Sequence, residues 1–578
     1  MRPIRLSAVL LVLAGATSTL TAEEVGGVTV EGAATAPATE TPAQRDARMA
    51  WWREAKFGLF IHWGVYAVPA GAYQGKTNYG EWIMHSAKIP VAEYQAFASR
   101  FNPVKYDPVA WMAAAKDAGM KYVVITAKHH DGFALFPSKA STWNIADATP
   151  YKKDLLAPLV QAARADGLKI GFYYSQAQDW TNPGGAKARF DEGQGWDPAH
   201  QGSFDAYLTQ VAVPQVRELL TGYQPDILWW DTPTWMTAKR AAPFVALRNQ
   251  APGLITNNRL GGKSGGDTET PEQFVPVTGY PGDWETCMTM NHHWGYNAAD
   301  QDWKSSTDLI RKLADICAKG GNFLLNIGPT AEGEFPAASL DRLRDMGAWL
   351  RTNGEAIYGT SAGPFRHLSW GCATRKADRL YLHVFTWPKD GKLRVPLTSN
   401  AQGAWVLGAP GNRLPVTREG GSLVVAVPST APDAANSVVV LHLDGEPVTA
   451  PLPSAGATAT ATATKPGNGP ENVLEGTGAK RWLAPADVKE ATLTLDLAKE
   501  DAISGIGFDE PDVWPRMRQQ YRIEARQGAT WTTIAQGTTV GHGVVQDVPP
   551  VTASAVRITL VNDKGGPGVA ELMLFRPE

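Results

Sequence analysis

Five consecutive apolar runs between residues 57 and 259 end in side chains that carry protons or charge, or that present a flat ring. The ends are His62-Trp63-Gly64, Lys128-His129-His130-Asp131-Gly132, Tyr173-Tyr174-Ser175, Trp229-Trp230-Asp231 and Asn257-Asn258-Arg259. Packing gives no reason for polar ends on five runs in succession. Together they describe a polar pocket with an aromatic wall, which suits a sugar: its hydroxyls need donors and acceptors, and its C–H face needs a ring. Cleaving a glycosidic bond takes two carboxyl groups, one ionised to attack or to activate water and one protonated to release the leaving oxygen. Asp231 is the candidate nucleophile, because it ends the run Ile227-Leu228-Trp229-Trp230 and so presents an exposed tip on a rigid base. Three candidates for the acid, Glu269, Glu272 and Glu285, follow the fifth run beyond the glycine-rich stretch 261–266. Spacing alone does not choose among them.

A histidine cluster also raises metal-dependent hydrolysis. Such sites usually draw ligands from a His-x-His on one strand, and the chain contains none. The adjacent His129 and His130 are expected to point to opposite sides of an extended chain unless a loop gathers them. No metal or organic cofactor is expected.

The elements that must position these residues follow from the pattern between Trp51 and Thr360. Strands are expected at Phe57–Trp63, Tyr122–Ala127, Lys169–Ser175, Asp226–Asp231, Leu254–Asn258, Trp284–Met290 and Asn322–Ile327. Helical patterns lie between them, at Asp107–Ala118, Asp154–Ala165, Phe204–Leu220 and Thr307–Ala318. Asp107-Pro108 is a helix start, with a capping carboxylate and a proline at the first position. Repeated strand–helix units imply parallel strands, and their number fits a (β/α)8-type barrel whose site sits at the C-terminal strand ends. Seven strands are identifiable, so an eighth is missing, irregular or hidden. A doubly wound open sheet is the alternative.

After Thr360 the pattern becomes short β-type runs divided by Gly, Pro and Asn, which reads as a β-sandwich over 364–445. A linker rich in Ala, Thr, Pro and Gly is expected over 446–469. A second β-sandwich follows over 470–578. At the other end, residues 1–22 read as a signal peptide, with Arg2 and Arg5 ahead of the apolar stretch Leu6–Ala16 and small residues after it. A flexible lead-in is expected over 23–49, with the barrel over 50–360. The chain is therefore expected to be exported, to the periplasm or beyond the cell. No later stretch is long and apolar enough to span a membrane.

Composition agrees with this division. Of 578 residues, 57 are Gly, 41 are Pro and 21 are Trp, which suits turn-rich β modules and sugar-facing rings. A net charge of −3 gives no electrostatic case for nucleic acid or an anionic membrane as partner. The three cysteines, Cys287, Cys317 and Cys372, cannot build a disulfide framework and are expected to be free and buried.

Read in order, His62-Trp63-Gly64, Glu81-Trp82, Lys128-His129-His130-Asp131-Gly132-Phe133, Trp143-Asn144, Trp229-x-Asp231, Thr270-Pro271-Glu272-Gln273 and Trp284-Glu285-x-Cys287 resemble the α-L-fucosidases of glycoside hydrolase family 29. The resemblance runs from about Ala50 to Gly359. It implies a retaining, exo-acting α-L-fucosidase that works on fucosylated oligosaccharides or glycoconjugates through a covalent fucosyl-enzyme. It matches Asp231 to the nucleophile, and His62, Glu81, Trp82, His129, His130, Tyr173, Trp229 and Arg259 to positions that hold the sugar, with Tyr174 as the alternative to Tyr173. By its spacing from Asp231 and Arg259, Glu272 matches the acid/base, with Glu285 as runner-up. An apolar patch is expected for the methyl group of fucose, from residues such as Trp294 or Phe57.

The sandwich over 364–445 resembles the C-terminal β-domain of the same family. The last domain is similar to a discoidin-type, galactose-binding fold, on the strands Arg557-Ile558-Thr559-Leu560 and Ala570-Glu571-Leu572-Met573-Leu574. That resemblance implies a carbohydrate-binding module, with Trp514, Arg516 and His542 as candidate contacts. Two other readings are a catalytically dead barrel acting as a lectin, and the same barrel acting on another sugar such as a galactoside.

Overall fold

Parallel strands whose neighbours cover both faces read as continuous apolar runs, and the seven expected runs form one parallel sheet. They are β1 (Phe57–Ile61), β2 (Tyr122–Lys128), β3 (Lys169–Tyr174), β4 (Ile227–Trp230), β5 (Ile255–Thr256), β6 (Glu285–Thr289) and β7 (Asn322–Ile327). The structure, a computed structural model, describes residues 40–187, 195–476, 480–511, 517–539 and 543–578. The expected signal peptide lies outside the described residues, as do residues 23–39 of the lead-in and the candidate contacts Trp514, Arg516 and His542.

The strand order is β5-β4-β3-β2-β1-β7-β6, so the last strand pairs with the first. A doubly wound sheet reverses its order about a switch point instead. The edge strands β5 and β6 do not pair with each other. Between them runs extended chain, Asp267 to Gln273, bonded to both. On the β5 side the Asp267 N–H donates to Thr256 O and the Asn258 N–H to Thr268 O (2.6 and 3.0 Å). On the other side the Glu285 N–H donates to Glu269 O and the Gln273 N–H to Cys287 O, both at 2.9 Å. These are isolated bridges rather than a ladder, because Pro271 has no N–H to give and Gln273 takes a positive φ of 67°.

Helices cover the outer face of the sheet. The Asp107 carboxylate caps Pro108–Asp117 by accepting from the Ala110 N–H. The helical pattern over 204–220 contains a wide π turn, Leu208–Ala212, just before Pro214. A proline without an N–H cannot complete the regular ladder, and the wide turn absorbs the mismatch. Helices close where Gly119 and Gly167 take φ near 86° and 75°, a conformation that L side chains rarely adopt.

Beyond the sheet two antiparallel sheets, of six and three strands, enclose their own core of Leu, Val and Trp side chains. The strand Ser437–Leu443 shows how this unit joins the first. Val438 and Val440 face the helices of the parallel-sheet domain, while Val439, Leu441 and Leu443 face the sandwich core. Both faces are buried, so the strand reads as an unbroken apolar run.

The C-terminal unit is a six-stranded antiparallel sheet built on the long strand Glu490–Asp509, with a separate core. Here the expected linker is corrected. Its Ala-Thr repeat is the edge strand Thr458–Ala461, paired to Leu493–Asp496. Alternation explains this: Ala459 and Ala461 pack on the core while Thr458 and Thr460 face solvent. The lead-in is also shorter than expected, because Pro42–Ala55 is helical. No helix among the described residues is long and apolar enough to cross a membrane. Cys287 and Cys317 are free and buried, and Cys372 is free but only half-buried.

Candidate active site

A cavity of about 640 Å³ opens at the C-terminal ends of β1 to β4. The ten residues expected to bind or cleave the sugar all line it: His62, Glu81, Trp82, His129, His130, Tyr173, Trp229, Asp231, Arg259 and Glu272; Glu285, the alternative acid, does not. Strand alternation chooses Tyr173 over Tyr174. Tyr173 points inward, and the Tyr174 hydroxyl turns outward to donate to Gln215 Oε1 at 2.8 Å. His129 and His130 do not point apart, because β2 ends at Lys128 and the chain leaves the extended conformation there. Their rings stand 4.2 Å apart on the same wall.

Asp231 directly follows β4, an interior strand paired on both sides. Its N–H donates to Gln176 Oε1 at 3.1 Å, and the Gln176 amide donates in turn to the carbonyls of Arg259 and Leu260. Sequence reasoning missed Gln176, although it lies three residues past Tyr173 on the same strand end. One Asp231 oxygen accepts from the Tyr173 hydroxyl at 2.8 Å, and the other from Arg259 Nη1 at 2.9 Å. Past Asp231 the chain turns sharply, with Thr232 at a φ of 42°, an unfavourable conformation for a β-branched residue.

Arg259 gathers the rest of the charge. The same Nη1 that meets Asp231 also donates to Glu272 Oε2 at 2.9 Å. Its Nε and Nη2 hold the hydroxyl and carbonyl of Thr270, and the guanidinium lies 4.8 Å from the centre of the Trp229 ring. Burial alone would pull the guanidinium down, but the Glu272 and Asp231 carboxylates more than offset this and hold it above its ordinary range. Since one nitrogen lies 2.9 Å from both carboxylates, the two bonded oxygens are at most twice that distance, 5.8 Å, apart.

The histidines are neutral acceptors and donors rather than cations. Burial lowers His62 to about 4 and takes His129 and His130 well below the usual imidazole range. The His62 Nδ1–H donates to Asn326 Oδ1 at 2.7 Å, and the Asn326 amide is oriented by donating to Trp294 O at 2.7 Å. This leaves His62 Nε2 as an acceptor. His130 Nδ1 pairs with Ser175 Oγ, whose own proton goes to Gln178 O. His130 Nε2, 3.5 Å from Asp231, is then unprotonated, and the contact is not an ion pair. Burial also raises Glu81, against the hydrogen bond it accepts from the Gly295 N–H at 2.9 Å.

Glu285 stands elsewhere. It is the first residue of β6, opposite Asn322, and accepts from the hydroxyl of Tyr122, the first residue of β2. Cys287, two residues on, reaches the cavity, so Glu285 lies one layer, about 7 Å, further toward the N-terminal strand ends. Burial raises its carboxyl to about 7, against the Tyr122 hydroxyl. Glu269 is exposed, outside the cavity, and accepts from the Asn258 amide. Of the two aromatics expected near a sugar methyl, Trp294 lines the cavity and Phe57 does not. Phe57 packs on Phe323 in the core outside it, and Phe60, three residues on, is the one that lines the wall. Phe60 shares a strand face with His62, so alternation would have found it.

A parallel-sheet domain with two carboxylates this close, beside a cavity walled by Trp, Tyr and neutral His at the strand ends, has the organisation of a glycoside hydrolase. The family model described as "Alpha-L-fucosidase" matches residues 28–355, and one described as "F5/8 type C domain" matches 457–573. An α-L-fucosidase of Dictyostelium discoideum is 31% identical over 422 residues, covering 66% of this chain and 89% of the relative. The solved α-L-fucosidase of Vibrio sp. strain EJY3 matches 92% of this chain and 98% of its own, at 25% identity and a TM-score of 0.71. A family 29 α-L-fucosidase of Bacteroides thetaiotaomicron, solved as a trapped covalent intermediate with 2-fluoro-fucosyl fluoride, matches 69% of this chain and 97% of its own (30% identity, TM-score 0.62). The chain belongs to the α-L-fucosidases of glycoside hydrolase family 29, a family of glycosidases.

Proposed function

We propose that the chain is a retaining, exo-acting α-L-fucosidase that removes terminal α-L-fucose from glycans, with Asp231 as nucleophile and Glu272 as acid/base. The observation that carries this reading is the bridge through Arg259 Nη1. A gap of at most 5.8 Å between the bonded oxygens supports the close spacing of a retaining pair, roughly 5–5.5 Å, over the roughly 6.5–9.5 Å that seats a water in an inverting one. The trapped intermediate of the Bacteroides relative supports the same mechanism.

In the first step an Asp231 oxygen attacks the anomeric carbon as the glycosidic C–O bond breaks, and Glu272 gives its proton to the departing oxygen. In the second, Glu272 takes a proton from water as the water oxygen displaces Asp231 and releases fucose. Neutral His62, His129 and His130 and the Glu81 carboxyl offer mixed donors and acceptors to the sugar hydroxyls, and Phe60 and Trp294 offer an apolar wall to its methyl group. Asp267 to Gln273, bonded to both sheet edges, serves as the irregular eighth stave of a (β/α)8-like barrel. The N-terminal pattern of residues 1–22 marks the enzyme for export, and the C-terminal module is assigned to glycan binding.

The test is hydrolysis of an aryl α-L-fucoside by the wild type and by Asp231→Gly, with and without azide. Loss of turnover restored by azide, with β-fucosyl azide as product, is the expected result. A wild type that turns over an aryl galactoside but not the fucoside, or binds glycans without turnover, overturns the reading.

A further inference from the structure

The C-terminal domain is more than a neighbour of the catalytic one. Its long strand ends in Asp509, a carboxylate that is 9% exposed and accepts three hydrogen bonds from a single stretch of the catalytic domain. The donors are the N–H of Val277 (3.0 Å), the N–H of Thr278 (3.3 Å) and the hydroxyl of Thr278 (3.1 Å). Arg366 of the sandwich takes the Thr278 carbonyl at 3.1 Å. The Val277 side chain packs with Met573 and Phe575 of the C-terminal domain. It occupies a gap that only glycines leave open, since a Cβ on Gly507 or Gly543 would stand 3.1 or 2.6 Å from its methyl carbons.

Val277 and Thr278 end the run that starts at Pro271 and carries Glu272. Within this run the bonds to the parallel sheet are isolated ones: from the Gln273 N–H to Cys287 O and the Cys287 N–H to Pro271 O beside Glu272, from the Thr286 hydroxyl to Phe274 O, and between the Gln273 amide and Thr289. A carboxylate that accepts from two backbone N–H groups and a hydroxyl is a firm anchor for such a segment, and these bonds oppose the burial that raises Asp509 above the usual carboxylate range.

We propose that Asp509 is a positioning residue for the acid/base: by fixing Val277 and Thr278 it sets the reach of Glu272 to the leaving-group oxygen. The C-terminal domain thereby belongs to the catalytic machinery. This inference rests on the assignment of Glu272 made above.

Proton donation matters for poor leaving groups and little for activated ones, so two substrates separate positioning from folding. Asp509→Ala should lower kcat/KM about tenfold on an unactivated fucosyl disaccharide, while turnover of 2-chloro-4-nitrophenyl α-L-fucoside falls less than about twofold, the size of loss a modest misplacement produces. Equal loss on both substrates means fewer folded molecules and overturns the proposal, as does no loss on either. Glu272→Ala, run beside it, should show the same selectivity more strongly; equal loss there overturns the acid/base assignment itself. If Asp509→Ala does not fold, Thr278→Val carries the test, since it removes only the 3.1 Å hydroxyl bond. It should show the same selectivity at about two- to threefold, and its absence overturns the proposal.

Discussion

Asp231 and Glu272 are bridged by one nitrogen, yet opposite kinds of structure hold them. Asp231 follows a strand bonded on both sides, with its own N–H tied to buried Gln176 and both carboxylate oxygens engaged. Glu272 sits on extended chain joined by isolated bridges, between Pro271 and a left-handed Gln273, with its carboxylate about a third exposed. The difference follows from the two tasks proposed for them. A nucleophile must meet carbon along one line, and small misplacement there is costly. A proton donor has only to reach an oxygen, and that oxygen belongs to a leaving group that changes with the substrate. Rigid support therefore falls to the side that makes the bond.

Substitutions on the two sides should differ in size and in kind. Asp231→Gly should lower kcat by about 10⁴-fold or more on every leaving group; a loss confined to poor leaving groups would erase the contrast. Glu272→Ala should cost about 10²–10⁴-fold on unactivated fucosides, within the usual range for a general acid. It should cost far less on activated aryl fucosides and remove the basic limb of their pH–rate profile. Tyr173→Phe, which deletes a 2.8 Å bond to Asp231, should lower kcat about ten- to a hundredfold. Tyr174→Phe, one residue on, should leave kcat within about twofold and lower only stability, by about 1 kcal/mol.

The smallest effect on rate belongs to Glu285, and its effect is on stability instead. Burial raises its carboxyl from its ordinary value of 4.5 to about 7. The folded protein therefore binds a proton there that the unfolded chain releases, and the stability this provides is full below about 4.5 and lost as pH rises through 7. Glu285→Gln, a neutral residue of the same shape, should lose that dependence and melt higher than wild type at pH 8, by up to about 3 kcal/mol of stability, with kcat unchanged. His62, lowered to about 4, acts in the other direction. Its contribution is full above about 6.5 and lost as pH falls through 4, so wild-type melting temperature should drop on both sides of a mid-pH optimum.

Much of the gripping half was legible in the residues. The strands are apolar runs and their ends carry the site, so position was enough to name the ends that hold His62, Tyr173 and Trp229 and to single out Asp231, while the resemblance picked Tyr173 and Trp229 from adjacent rings. The half that carries Glu272 was not. Pro271, the glycines of 261–266 and a two-residue β5 leave no period to read, and nothing local separates Glu272 from Glu285 or Glu269. The resemblance of the motifs chose Glu272, and the bridge through Arg259 gives the geometric reason. Gln176 and Asp509 escaped because neither motif nor period marks them, and their partners lie 55 and more than 230 residues away.

Local pattern alone determined the parallel strand–helix units, the two β modules after them, the pocket chemistry and the candidate nucleophile, because strand period and strand ends are local properties of a chain. Tertiary structure decided which carboxylate faces Asp231, that Glu285 lies a layer below the cavity, that the Ala-Thr repeat is an edge strand, and that the last domain grips the segment that carries Glu272. Each of these depends on which groups meet across hundreds of residues, where burial and a shared cation set the outcome and sequence spacing carries no information.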